Sequence, residues 1–248
     1  MDNDKTHFGY EEVPLAEKEQ RVGAVFRSVA GKYDVMNDII SLGTHRLIKR
    51  FTVQLSAARR GHNILDLAGG TGDLSVLFAP IVGDEGRVVL ADINEAMLNV
   101  GRDRLIDKGL GKQVSVTQAD AEQLPFADNT FDCVCIAYGL RNVTQKETAL
   151  AAMQRVLKPG GRVLVLEFSK PQSALLKKAH QAWASLLPAT GALITGDRDS
   201  YRYLAESIQM HPDQNTLLTM MQNAGLTDCR YHNVMGGFCA IHIGFKPH

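Results

Sequence analysis

The sequence predicts an α/β protein: a mostly parallel sheet wrapped by helices, with a C-terminal antiparallel hairpin and an N-terminal helical extension. Three observations predict it. Apolar runs at 62–67, 86–92, 112–118, 130–137 and 161–168 alternate with helical patterns near 73–81, 94–108 and 145–157, and strand then helix, repeated, specifies parallel pairing. A glycine turn, Ala68-Gly69-Gly70-Thr71-Gly72, separates the first apolar run from the first helical pattern. The second apolar run ends in Asp92, a carboxylate about 20 residues past the turn, the offset at which a Rossmann-like sheet holds a nucleotide ribose.

The N-terminal stretch from Pro14 to Leu55 reads as helical. Val22, Val25, Phe26 and Val29 recur at helical spacing, Gly31 is a stop signal, and a second amphipathic stretch covers Thr44 to Leu55. Residues 1–60 therefore form an extension and lid, too short for a core of their own. Within the alternating region, Lys158-Pro159-Gly160-Gly161 reads as the turn that ends one helix and launches the next strand. After Pro171 the rhythm breaks. Residues 172–210 read as a helical insertion interrupted by Pro188, Gly191 and Gly196, and the N-terminal helices with this insertion are expected to build a hydrophobic, partly mobile entrance to which Trp183, Leu186 and Leu187 contribute. A helix at 213–223 and strands at 226–234 and 237–245 complete a single domain over 1–248; the two strands are close enough in sequence to pair as an antiparallel hairpin.

Bulk properties narrow the classes. A chain of 248 residues with 45% apolar and 22% charged residues can bury one substantial core. Lys plus Arg balance Asp plus Glu at 27 each, and no basic run exceeds a pair, so no nucleic-acid partner is expected. Cys133, Cys135, Cys229 and Cys239 match no zinc spacing and read as small core residues in a reducing compartment. The polar, acidic N-terminus resembles neither a signal nor a transit peptide, and no apolar run reaches membrane-span length. The expected location is cytoplasmic, with peripheral contact at the inner membrane left open.

The cofactor is read from the turn. A nicotinamide site wants G-x-G-x-x-G, and Gly70-Thr71-Gly72-Asp73-Leu74-Ser75 ends in Ser. The pattern [DE]-x-G-x-G-x-G of S-adenosylmethionine sites fits Asp66-Leu67-Ala68-Gly69-Gly70-Thr71-Gly72, with Ala68 in place of the first glycine. Chemistry favours the second reading. Asp92 can accept from both ribose hydroxyls, Asp66 can meet or orient contacts to the amino group of the methionine tail, and the turn lets backbone approach that tail. Asp66 taken alone equally fits a capping aspartate. Farther on, Asp120-Ala121 closes a strand where a carboxylate can accept from the adenine amine and a backbone N–H can read a ring nitrogen.

Several segments resemble the ubiquinone/menaquinone-biosynthesis C-methyltransferases, which have a class I methyltransferase fold. They are Leu65 to Asp73, Tyr138-Gly139-Leu140-Arg141-Asn142-Val143, Leu157-Lys158-Pro159-Gly160-Gly161, Leu166-Glu167-Phe168-Ser169-Lys170-Pro171 and Asp199 to Ile208. The resemblance runs from about Phe26 to the C-terminus. The Gly-Leu-Arg-Asn and Tyr-Arg-Tyr-Leu segments are its most specific parts. It implies methyl transfer from S-adenosylmethionine to a ring carbon of a polyprenylated quinol, with cofactor contacts at Thr71, Asp92, Asp120 and Ala121. Many members have Asn at the position of Asp120, and bacterial members often have a contacting Ser where this chain has Ala137. The implied partner is a lipid-soluble quinol; association with a membrane, with a quinone-biosynthesis complex or as a homodimer stays open.

C-methylation needs the ring carbon aligned with the methyl–sulfur axis and the phenolate favoured. Arg141 is the candidate for stabilising that phenolate, Asn142 for orienting a hydroxyl or water, and Tyr33 for closing over the site. The general base stays open among Asp120, a water held by Asn142, His45, His180 and His211. No metal is required. Rival readings are a methyltransferase acting on oxygen or nitrogen, a nicotinamide oxidoreductase, and a non-catalytic assembly subunit of the same fold.

Overall fold

Alternating apolar residues build the sheet, and the computed structural model describes it within residues 5–29, 37, 38, 40–194 and 197–248. The strands are β3 (Asn63–Leu67), β4 (Arg87–Asp92), β5 (Val114–Gln118), β6 (Phe131–Ala137), β7 (Leu157–Phe168), β8 (Thr227–Val234) and β9 (Cys239–Phe245). They lie in the order β5-β4-β3-β6-β7-β9-β8, parallel from β5 through β7 and antiparallel at β9 and β8. The chain winds outward from β3 to β5, then returns to place β6 on the other side of β3. That reversal opens a crevice at the carboxyl ends of β3 and β6, where open α/β sheets bind ligands.

Period-two alternation assigns the two faces. Leu65 and Leu67 of β3 pack with α5 (Lys146–Val156) and α8 (Gln214–Asn223). Ile64 points to the opposite face, against α2 (Thr44–Leu55), α3 (Asp73–Val82) and α4 (Glu95–Asp107). Asp66 shares the face of Ile64 by register, and this decides its partners below.

The structure departs from the sequence reading in three places. Residues 5–14 form a hairpin, β1 (Lys5–Phe8) with β2 (Glu11–Pro14), ahead of α1 (Leu15–Val29). Its strands are short and polar with Val13 the one deeply buried apolar side chain, so they carry no alternation to read. Lys158 to Gly161 do not separate helix from strand: β7 begins at Leu157, and its pairing with β6 jumps from Phe131↔Leu157 to Cys133↔Arg162, so the turn persists as an irregularity inside the strand. Pro188 and Gly191 do not interrupt the insertion. One helix, α6 (Ala174–Ile194), runs through both. A Cβ on Gly191 would lie 2.3 Å from the Tyr201 ring, so this glycine is where α7 (Arg198–Met210) packs onto α6. Gly196 lies outside the described residues.

Candidate active site

Two non-glycine residues at the crevice hold left-handed backbone: Ala68, with φ 49°, just past β3, and Tyr138, with φ 57°, just past β6. Each costs roughly 1–3 kcal/mol, a cost characteristic of sites where function fixes the backbone. Ala68 thus occupies a conformation that glycine adopts freely, which explains the glycine in the general pattern at this place. The two strand ends also crowd each other. A Cβ on Gly139 would sit 2.5 Å from the Ala68 Cβ, so Gly139 permits the approach.

The crevice holds a first cavity. Gly70, Asp92, Asp120, Ala121 and Asn142 line it, and α1 covers it with Glu19, Val22, Gly23 and Phe26. The Asp92 carboxylate accepts from Gly70 N at 2.9 Å and Asn94 N at 2.8 Å, which fixes it between the glycine turn and the start of α4. Burial raises its pKa, while the amides of Asn94, Gly70 and Ile93 pull the other way. A diol's two O–H donors suit a half-buried carboxylate so held. Ala119, Ile93 and Met97 give the same cavity an apolar wall suited to a flat ring. Asp120 accepts from Glu122 N at 2.9 Å. The Asn94 side chain donates to Gly23 O at 3.2 Å and so ties α1 down as a roof.

Three predicted residues lie beneath this cavity and do not line it. Asp66 is 1% exposed and accepts from Ser75 N at 2.8 Å and Ser75 Oγ at 2.7 Å, so it anchors the first turn of α3. Burial pushes its pKa up to about 7. Gly72, with φ 80°, is the N-cap of α3, and Thr71 is buried. Tyr33 lies outside the described residues.

A second cavity adjoins the first, and Tyr138 and Phe26 line both. Its wall is dominated by apolar groups, among them Ile40, Leu42, Ile48, Phe168, Trp183 and Phe238. Of the entrance residues expected from sequence, Trp183 lines it, whereas Leu187 is buried in the helix pair and Leu186 faces solvent. Arg141 reaches this cavity as half of an ion pair. Its Nη1 donates to Glu167 Oε1 at 3.1 Å and to Tyr138 O, its backbone N–H donates to Glu167 Oε2 at 3.2 Å, and its guanidinium lies 5.5 Å from the Phe168 ring centre. Glu167 is 1% exposed. On the cofactor side, Asn142 Oδ1 accepts from the Tyr203 hydroxyl at 2.9 Å. The Gly-Leu-Arg-Asn and Tyr-Arg-Tyr-Leu segments therefore meet in space. Burial pushes the Tyr203 hydroxyl's pKa well up, so it donates as a neutral phenol.

Sequence reasoning passed over Glu167, Tyr138 and the Lys49–Asp73–Arg104 cluster. Burial alone would raise Asp73, but Lys49 at 2.6 Å and Arg104 at 2.7 Å hold its pKa at about 2. Glu167 sits inside a quoted segment, and a carboxylate within an apolar strand was the available signal. Among the described residues no cluster of His, Cys, Asp and Glu could hold a metal ion.

Sequence comparison decides the family. The model for the ubiE/COQ5 methyltransferase family matches residues 15–246. This chain belongs to the ubiE/COQ5 methyltransferase family. A relative in Teredinibacter turnerae named "Ubiquinone/menaquinone biosynthesis C-methyltransferase UbiE" is 63% identical over 246 residues, 99% of each chain. One of the same name in Pseudomonas paraeruginosa is 62% identical over 98% of this chain and 95% of its own. The solved structures are more distant and speak to fold. A SAM-dependent methyltransferase from Aquifex aeolicus superposes with TM-score 0.61 at 19% identity, covering 80% of this chain and 89% of that one. The cyclase SpnF gives TM-score 0.65 at 16% identity, covering 92% and 96%. In this family member the crevice geometry makes one prediction. Asp92→Ala is expected to weaken binding of S-adenosylmethionine roughly ten- to a hundredfold, about 1.5–3 kcal/mol, with the fold intact. Calorimetry on the folded variant reads this, and an unchanged affinity removes Asp92 from the cofactor site.

Proposed function

We propose that this chain transfers the methyl group of S-adenosylmethionine to a ring carbon of a polyprenylated quinol, demethylmenaquinol or 2-polyprenyl-6-methoxy-1,4-benzoquinol, in menaquinone and ubiquinone biosynthesis. One observation carries the reading beyond the family. A cleft lined by Gly70, Asp92, Asp120 and Ala121 shares its Tyr138–Phe26 wall with a mainly apolar cavity lined by Arg141, which pairs with the buried Glu167. S-adenosylmethionine, when bound, supplies an electrophilic methyl on a sulfonium. Asp92, Asp120, Gly70 and Ala121 would hold it; Asp66, Thr71 and Gly72 would set the turn beneath it.

The apolar cavity would take the quinol ring. Arg141 would stabilise negative charge on the ring oxygen, and Asn142, oriented by Tyr203, would position a hydroxyl or water between the two cavities. Leu42, 90% exposed, and Met235, 52% exposed, line the apolar cavity and also face solvent. Leu47 and Phe51 of α2 are exposed nearby, with Arg46 and Arg50 on the same outer face. Exposed apolar side chains beside the Arg50 cation suit peripheral contact with an anionic bilayer, from which a prenyl tail would enter. No helix among the described residues is long and apolar enough to cross a membrane.

The test is genetic and chemical. Cells lacking this chain should accumulate demethylated quinones detectable by mass spectrometry, and the intact gene should restore the methylated forms. Unchanged quinone profiles would remove the assignment.

A further inference from the structure

The proposed reaction needs a proton acceptor for the quinol hydroxyl. We propose that His45 is this general base and that Asp38 is the carboxylate that orients it, an inference that rests on the quinol reading above. His45 lies in the first turn of α2, is 6% exposed, and lines the apolar cavity with Arg141 and Tyr138. Its Nε2 is 2.8 Å from Asp38 Oδ1. Its Nδ1 is buried and has no hydrogen-bond partner among the described residues. Asp38 is itself clamped, accepting from Arg46 Nε at 2.8 Å and Arg46 Nη2 at 2.7 Å. The hydrogen bonds from Arg46 and His45 hold its carboxyl far below the usual range.

These contacts set the chemistry. An anionic Asp38 can only accept, so Nε2 carries the proton and Nδ1 carries the lone pair. A buried ring nitrogen left without a partner carries an uncompensated desolvation cost, which a substrate hydroxyl would relieve. The neighbouring charges are balanced. Arg46 pairs with Asp38, Lys49 with Asp73, and Arg141 with Glu167. Tyr138 and Cys239 also line the cavity, and burial holds both in their neutral forms. An imidazolium formed at His45 would therefore have Asp38 as its direct counter-ion. The other candidate carboxylate, Asp120, lines the cofactor cleft and not this cavity.

The proton inventory closes. The quinol O–H proton passes to Nδ1 and leaves a phenolate opposed by Arg141. The ortho carbon's electron pair forms the new C–CH3 bond while the methyl–sulfur bond breaks and its pair stays on sulfur. The resulting neutral dienone regains aromaticity when its carbonyl oxygen takes back the proton from His45 and the hydrogen on the methylated carbon leaves to solvent. One proton is released per turnover, and no oxidant or reductant is consumed.

The test uses the full chain, S-adenosylmethionine and a pre-reduced short-chain demethylquinol. His45→Gln should lower kcat at neutral pH about a hundredfold or more, the range of general-base catalysis, with calorimetric S-adenosylmethionine affinity unchanged. Its deficit should shrink as pH rises, because solvent hydroxide replaces the missing base. Asp38→Asn removes the counter-ion, so the acid limb of the kcat profile should move to lower pH. This second variant reads the dyad even where His45→Gln is unstable. A wild-type-like profile in His45→Gln, a deficit equal at every pH, or an unmoved acid limb in Asp38→Asn overturns the base assignment alone. A wild-type protein that turns over no reduced quinol overturns the functional reading and this inference with it.

Discussion

Purified protein given strictly oxidised quinone should form no methylated product, and the same protein given pre-reduced quinol should turn over. The reason is electronic. A quinone ring is electron-poor and has no hydroxyl proton to lose, so its carbons do not attack a sulfonium methyl. A quinol ring donates from two hydroxyls, and loss of one proton concentrates charge at the ortho carbon. A phenol-type hydroxyl has a pKa of about 10, so the site must favour the anion. The Arg141 guanidinium, held by Glu167, would direct charge-assisted N–H donors at the ring oxygen, and a low-dielectric wall strengthens their effect. Anaerobic assays with and without a chemical reductant, read by mass spectrometry, check this. Equal turnover of the oxidised substrate with no reductant present would contradict both the mechanism and the substrate class.

Arg141→Ala should lower kcat by about 10²–10³ while leaving S-adenosylmethionine affinity near wild type, as expected when a preorganised charge acts on the transition state. The structure adds a second consequence. Glu167 is buried and its side chain accepts from the guanidinium, so truncating Arg141 strands a carboxylate and should cost about 3–5 kcal/mol of stability. The double variant Arg141→Met with Glu167→Gln removes both charges and should recover most of the thermal stability with no recovery of kcat. Stability and rate recovering together would make the pair structural. Cofactor affinity falling in step with rate would place Arg141 in the cofactor site.

The sheet was legible because its signals are local. Buried strands read as apolar runs, and the glycine turn and Asp92 lie at a fixed offset along one βαβ unit. The partners of individual side chains were not legible, because they are set by register and by distant packing. Asp66 resembled a ligand-facing acid, but its register directs it to Ser75, on the face of β3 that packs against α3. Arg141 was visible as a candidate cation. Its partner Glu167 lies 26 residues away and meets it only because β6 and β7 are adjacent. His45 looked like an isolated histidine, and its significance comes from Asp38 at 2.8 Å and from the cavity it lines. The hairpin at 5–14 was missed because strands of four residues with polar side chains carry no period.

The most direct test of quinol C-methylation is the position of the transferred carbon. Incubation with S-adenosylmethionine carrying a 13C-labelled methyl group and a reduced demethylquinol, followed by carbon NMR of the extracted product, reads it in one spectrum. A labelled methyl attached to the ring carbon ortho to a hydroxyl is the expected result. A labelled methoxy signal, or label confined to unreacted S-adenosylmethionine, would contradict it.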